Sequence, residues 1–183
     1  LCQLRPTKWI NDKIVNMYTQ LIGEHAAHGE TSQDIIVFNS YLWNLIGTWR
    51  DKHNYDPEHF PLRHSKRKIA LLQSHLIVIP INAKKSHWYV IAMNLREKTS
   101  IMYTSLWSYN ISYQQVEIAY CQAEVDMTSW RDIALWQENG CDCGVFAAQY
   151  LESLSQDLLM FEFTQQNIPY IRHRMIWEIG YHK

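Results

Sequence analysis

Three apolar runs in the middle of the chain, Leu76-Ile77-Val78-Ile79, Trp88-Tyr89-Val90-Ile91-Ala92-Met93 and Ser100-Ile101-Met102-Tyr103-Thr104, constrain the fold more than any other feature. Each is too short for a core helix and rich in β-branched or aromatic residues, so they read as consecutive strands of one sheet. Pro80 is expected to stop the first, and Glu97-Lys98-Thr99 forms a polar turn before the third. Upstream, Ile14, Val15, Tyr18, Leu21 and Ile22 recur at helical spacing over residues 11–24. Ile35, Phe38, Leu42, Leu45 and Ile46 carry a second helical pattern, capped by Thr31, Ser32 or Asp34, so two helices are expected before any strand. Residues 51–68 form a polar surface connection that ends in the basic run from Arg63 to Lys68, whose plainest reading is a solvated loop. Residues 112–120 are expected to be helical and 121–125 extended. A helix starts near Cys143 or Gly144, and the last helix, over 164–179, buries Ile168, Ile171, Met175 and Ile179 and turns Arg172, His173 and Arg174 to solvent, with Pro169 in its first turn.

At 183 residues the chain is one domain's worth, and 47% hydrophobic against 19% charged residues excludes intrinsic disorder. A formal charge of -1 gives no global pull toward nucleic acid or anionic membranes. No apolar run reaches the roughly 18–20 residues of a membrane span, and the N-terminus lacks a charged-then-apolar signal pattern. The chain is expected to be a soluble fragment beginning at Leu1, with targeting signals elsewhere. Eight tryptophans and eleven tyrosines exceed what a core needs and fit a groove that grips a peptide or partner, although most aromatics are simply core. The cysteines are Cys2, Cys121, Cys141 and Cys143; the one-residue spacing of the last two strains against a disulfide, and no Cys-x-x-Cys pair is present, which favours a reducing compartment.

The chemistry gathers around Cys143. A thiolate at a helix N-terminus is stabilised by free backbone N–H groups and the helix dipole. Asn139-Gly140 is a turn that presents the residue at a cleft edge, Gly144 allows close backbone approach, and Cys141, before the helix, is the weaker candidate. A cysteine at a helix start is more often inert, so a base is needed. His87, immediately before a buried strand, is held where it can face that helix. Gln137, a few residues upstream of Cys143, carries a side-chain amide suited to a tetrahedral oxyanion, its alternative being an ordinary polar loop residue. No ligand cluster or phosphate-cradling loop implies a metal or organic cofactor.

These residues fall in four ordered motifs: Trp9-Ile10-Asn11-Asp12-Lys13-Ile14-Val15-Asn16; Ile79-Pro80-Ile81-Asn82 leading to His87-Trp88; Gln137-Glu138-Asn139-Gly140-Cys141-Asp142-Cys143-Gly144-Val145-Phe146; and Phe163-Thr164-Gln165-Gln166-Asn167-Ile168-Pro169-Tyr170. Together they resemble, over nearly the whole chain, the sentrin-specific or ubiquitin-like-specific cysteine proteases that process and deconjugate SUMO and related modifiers. The resemblance implies a single domain over 1–183 with an α/β (α+β) fold of the papain-like, adenovirus-protease type, a central mixed sheet flanked by helices. It implies Cys143 as nucleophile, His87 as general base and Gln137 as oxyanion donor. Trp9 and Trp88 would close a narrow tunnel over the modifier's diglycine tail, since flat indoles admit glycine and exclude side chains, and Asp12 would pair with a basic residue of the modifier. SUMO or a related ubiquitin-like protein and its conjugates are the implied partners. A monomer is implied that binds neither nucleic acid nor membrane, inside the cell, at the nucleus or nuclear envelope with the cytoplasm as the alternative.

The family carries an aspartate after the third strand, in a Tyr-Asp-Ser type motif, to orient the histidine. Here the stretch reads Tyr103-Thr104-Ser105-Leu106, and Thr104 takes that position. A threonine hydroxyl can accept the ring N–H and fix a tautomer but brings no negative charge to stabilise the imidazolium. Trp107 stands where glycines usually follow, and the stretch from Thr104 to Gln137 is short. The sequence therefore leaves three functions in play: a SUMO protease, slowed or not by Thr104; a catalytically impaired adaptor that binds SUMO without cutting it; and a protease for another ubiquitin relative.

Overall fold

The computed structural model describes residues 2–28, 35–53, 74–83, 85–106, 129–158 and 160–181. After a short turn of 3₁₀ helix at Cys2–Leu4, helix α1 spans Asp12–His28, strand β1 Ile35–Val37 and helix α2 Tyr41–His53. Strands β2 (Leu76–Ala83), β3 (His87–Asn94), β4 (Thr99–Thr104) and β5 (Ser129–Ala134) follow, then helix α3 (Cys143–Ser155), a second 3₁₀ turn (Gln165–Asn167) and helix α4 (Ile168–Tyr181). The strands form one mixed sheet in the order β1-β2-β3-β4-β5, parallel at its two outer pairings and antiparallel between β2, β3 and β4.

The apolar runs are continuous because both faces of the sheet are covered. Leu76, Val78, Trp88, Val90 and Ala92 face a core shared with α1, α3 and α4. The alternating residues Ile77, Ile79, Ile81, Tyr89, Ile91 and Met93 meet Phe38, Leu42 and Ile46 on the other side, where α2 lies. This two-residue alternation on a sheet buried on both sides is why no polar stripe interrupts β2 or β3.

Four expectations are corrected. Ile35–Val37 is a strand and not the start of the second helix: it pairs in parallel with Leu76, Ile77 and Val78, which satisfies its backbone and suits three β-branched side chains. A strand thus precedes α2, whose first N–H groups are met by Asn39 Oδ1 at Tyr41 (3.2 Å) and, one residue earlier, by Asn16 Oδ1 at Ser40 (2.9 Å). Pro80 does not stop β2, which runs to Ala83 with Pro80 opposite Val90. The Val78 carbonyl points toward the β1 side, where it accepts Phe38 N–H at 2.9 Å. Two residues on, Pro80 points its nitrogen the same way, beyond the end of β1, so its missing N–H leaves no ladder bond unmade. Asp51, Lys52 and His53, expected in a surface connection, belong to α2, and the rest of that expected connection lies outside the described residues. Arg172 is buried, for a reason that belongs to the site. The basic run from Arg63 to Lys68, the helix expected over 112–120, the strand expected over 121–125 and Trp107 lie outside the described residues, while β5 was not anticipated.

Candidate active site

Helix α3 begins at Cys143, and its first turn packs so tightly that Gly144 could not carry a side chain without displacement. A Cβ there would lie 3.0 Å from Ile10 Cβ and 3.3 Å from Trp88 Cδ1. Ile10 Cβ is tied to backbone and cannot swing away, so Gly144→Ala should destabilise the domain by about 1–3 kcal/mol, read by denaturant unfolding; an unchanged midpoint would refute the close packing. Cys143 is 2% exposed, so the helix does not present it at an open edge. Burial pushes its thiol above the ordinary range and the neighbouring Asp142 carboxylate adds to this, against the backbone N–H groups of Trp88, Gly144 and Cys143, which favour the thiolate. The amide of Trp88, one residue after His87, thus brings the start of β3 to the thiol.

His87 is the first residue of β3, fixed by its pairing with Ala83 and by a hairpin in which Ser86 N–H meets the Ala83 carbonyl at 2.9 Å. Its Nε2 lies 3.0 Å from Thr104 Oγ1 at the end of β4. The Thr104 hydroxyl lies 3.4 Å from the Leu106 carbonyl; when it donates there, its oxygen accepts from the tautomer protonated at Nε2, which leaves Nδ1 as the basic ring nitrogen. Burial lowers the His87 pKa to about 4. At neutral pH the resting pair is therefore a thiol and a neutral imidazole.

Gln137 is positioned by the next residue along from Thr104. Ser105 Oγ donates to Gln137 Oε1 at 2.6 Å, and the Gln137 backbone N–H meets the Ser105 carbonyl at 3.2 Å. This turns the amide nitrogen toward the loop before Cys143, where it donates to the Asn139 carbonyl at 2.5 Å. The end of β4 thus holds both His87 and Gln137. Ser105 stood in the quoted motif without a role, and only its contact reveals one.

Trp9, Asp12 and Trp88 come together as lining of one cleft of about 470 Å³, with Ile10, Asn82 and Lys85 among its other walls. The two indoles differ. Trp9 is 48% exposed, whereas Trp88 is 2% exposed and its Nε1 donates to the Ile10 carbonyl at 2.9 Å. Asp12 opens α1, whose cap is Asn11: its Oδ1 accepts Ile14 N–H at 3.1 Å. Cys141 places its sulfur 3.2 Å from Asn139 Oδ1. Among the described residues no group of three His, Cys, Asp or Glu side chains could hold a metal ion.

The residue missed by sequence reasoning is Asp142. Its carboxylate does not cap α3. It accepts from Arg172 Nε at 3.1 Å and from the terminal nitrogen at 2.5 Å, from Asn139 Nδ2 at 2.6 Å and from Gln165 Nε2 at 2.8 Å. Burial pushes this carboxyl up, but the hydrogen bonds from Asn139, Arg172 and Gln165 outweigh it and hold it below its ordinary value. Position 172 is four residues after Ile168 and three before Met175, both buried, so the helical period allowed its burial; the charge argued for solvent until a partner was visible.

Against known proteins, the profile of the Ulp1 protease family, C-terminal catalytic domain, matches residues 8–180. A sentrin-specific protease of Caenorhabditis elegans is 28% identical over 98% of this chain and 26% of its own length. Human sentrin-specific protease 2 is 25% identical over 96% of this chain and 30% of its own length. The chain thus spans about a quarter to a third of these relatives. The C-terminal Ulp1 protease domain solved in complex with Smt3, the yeast ortholog of SUMO, superposes with a TM-score of 0.74 at 20% identity, over 97% of this chain and 79% of that one. The expected α/β architecture, a mixed sheet flanked by helices, is the one found.

Proposed function

Because the chain belongs to the Ulp1 protease family, whose C-terminal catalytic domain it matches from residue 8 to residue 180, we propose that it is a thiol protease that cleaves after the C-terminal diglycine of SUMO, from a precursor or from an isopeptide conjugate. The observation that carries this reading is the convergence at the start of α3: the Cys143 thiol against the Trp88 amide, His87 held by Thr104, and Gln137 held by Ser105. The tail lies in the cleft between Trp9 and Trp88, with Asp12 facing a basic group of the modifier. The Cys143 proton passes to His87 Nδ1 as sulfur attacks the glycine carbonyl carbon. Gln137 Nε2 and backbone N–H groups receive the oxyanion, the imidazolium protonates the leaving amine, and water then releases the acyl group from sulfur. The domain works as a monomer in a reducing compartment, the nucleus or its envelope, and does not engage nucleic acid or membrane.

A second reading rests on Thr104. With a threonine hydroxyl at His87 Nε2 and the pair uncharged at rest, the same cleft serves an adaptor that holds SUMO without cutting it. Intact mass spectrometry separates the two. SUMO with a thiol-reactive electrophile at its C-terminus should add one SUMO mass to the wild-type chain and none to Cys143→Ala. Binding without an adduct would establish the adaptor instead, and an adduct with ubiquitin in place of SUMO would reassign the modifier.

A further inference from the structure

Resting on that reading of the site, we propose that Arg172 is a positioning residue that sets the Trp9 side of the cleft and the Cys143 loop with one buried guanidinium. The side chain rises from α4 and is 3% exposed. One edge grips Asp142, the residue before the nucleophile, and a terminal nitrogen also donates to the Cys141 carbonyl at 3.4 Å. The same guanidinium reaches the opposite wall: Nη2, the terminal nitrogen that bonds Asp142, also donates to the Lys8 carbonyl, one residue before Trp9, at 3.0 Å, and Nη1 donates to the Arg5 carbonyl at 3.2 Å.

Neutralising Asp142 does not need these further contacts, because an ion pair of two side chains would suffice. They matter to the segment from Arg5 to Ile10, which lies outside helix and strand and in which the Arg5 carbonyl otherwise meets, among the described residues, only the Lys8 N–H, at 3.3 Å. Ile10 in that segment receives the Trp88 indole N–H, so its position also sets the inner wall of the cleft. An arginine is required because its planar fork can bond carboxylate and several carbonyls at once, while an ammonium has one compact set of donors.

Arg172→Lys tests this, since lysine keeps the positive charge beside Asp142 but cannot reach both walls. Hydrogen exchange followed by mass spectrometry should show amides of residues 3–11 exchanging about tenfold faster or more, with smaller change in α3. In hydrolysis of a SUMO C-terminal fluorophore amide, KM should rise about fivefold or more while kcat stays within about threefold. The KM effect should shrink to less than about twofold in a Trp9→Ala background, because both changes act through the same wall. Equal KM effects in both backgrounds, or unchanged exchange in residues 3–11, would overturn the proposal and leave Arg172 as a plain ion-pair partner. If the wild-type chain does not hydrolyse SUMO, the functional reading fails alone and the exchange result still decides the role of Arg172. Should the lysine variant not fold, Arg172→Gln with Asp142→Asn, uncharged on both sides, supports the same comparison.

Discussion

Cys143→Ala should abolish hydrolysis of a SUMO C-terminal fluorophore amide, with a fall in kcat on the order of 10⁴-fold or more. The magnitude follows from the division of labour: without sulfur no acyl-enzyme forms, and His87 and Gln137 have no intermediate to serve. Loss of one sulfur atom from a tight site should cost only about 1 kcal/mol of stability, well below the 5–15 kcal/mol of a typical domain. Binding of SUMO should persist, since the cleft is lined by Trp9, Asp12 and Trp88 and Cys143 is buried. A variant that retained more than a tenth of wild-type turnover would remove Cys143 from the mechanism.

Thr104→Asp should act in the opposite direction and raise kcat by about 10- to 10³-fold. Loss of the carboxylate from a serine triad costs about 10⁴, and a thiol, more acidic than a hydroxyl, needs less of that help. The pH dependence identifies the cause. In the wild type, burial holds His87 near a pKa of about 4, so the imidazole is neutral from pH 5 to 8. Burial also raises the Cys143 thiol, so its alkylation by iodoacetamide should climb with pH and level off only above the ordinary thiol range. An aspartate at 104 stabilises the imidazolium and raises the His87 pKa. The imidazolium in turn stabilises the thiolate, so the alkylation plateau should be reached at lower pH. Thr104→Asn matches aspartate in shape without its charge and should leave the plateau near its wild-type position. Equal behaviour of the Asp and Asn variants would show that charge at this position is not what limits the site.

The candidate residues were singled out because their signals are local. Cys143 follows a turn and opens a helix, His87 precedes a buried strand, and Gln137 lies in the same loop as the cysteine. Cys143 does open a helix and His87 does open a buried strand, but Cys143 is buried and not at the open edge that the turn suggested. The second helix was misread for the same reason: Ile35, Phe38 and Leu42 mimic a helical stripe, and only the parallel partner at Leu76–Val78 shows that the chain is extended at 35–37. Pro80 was misread because its acceptability depends on which neighbour has already ended, a property of the sheet and not of the strand.

Periodicity and turn residues determined by themselves the run of strands β2, β3 and β4 and a helix starting at Cys143, because each depends on residues a few positions apart, while motif order marked Cys143, His87 and Gln137 as candidates. Tertiary structure alone decided that Ser105 orients Gln137 and that Arg172 turns inward to Asp142, 30 residues away along the chain. A lone arginine favours water by its hydration energy. The choice reverses only when a buried carboxylate and the carbonyls of a distant segment arrive together to replace that water, and no local pattern encodes their arrival.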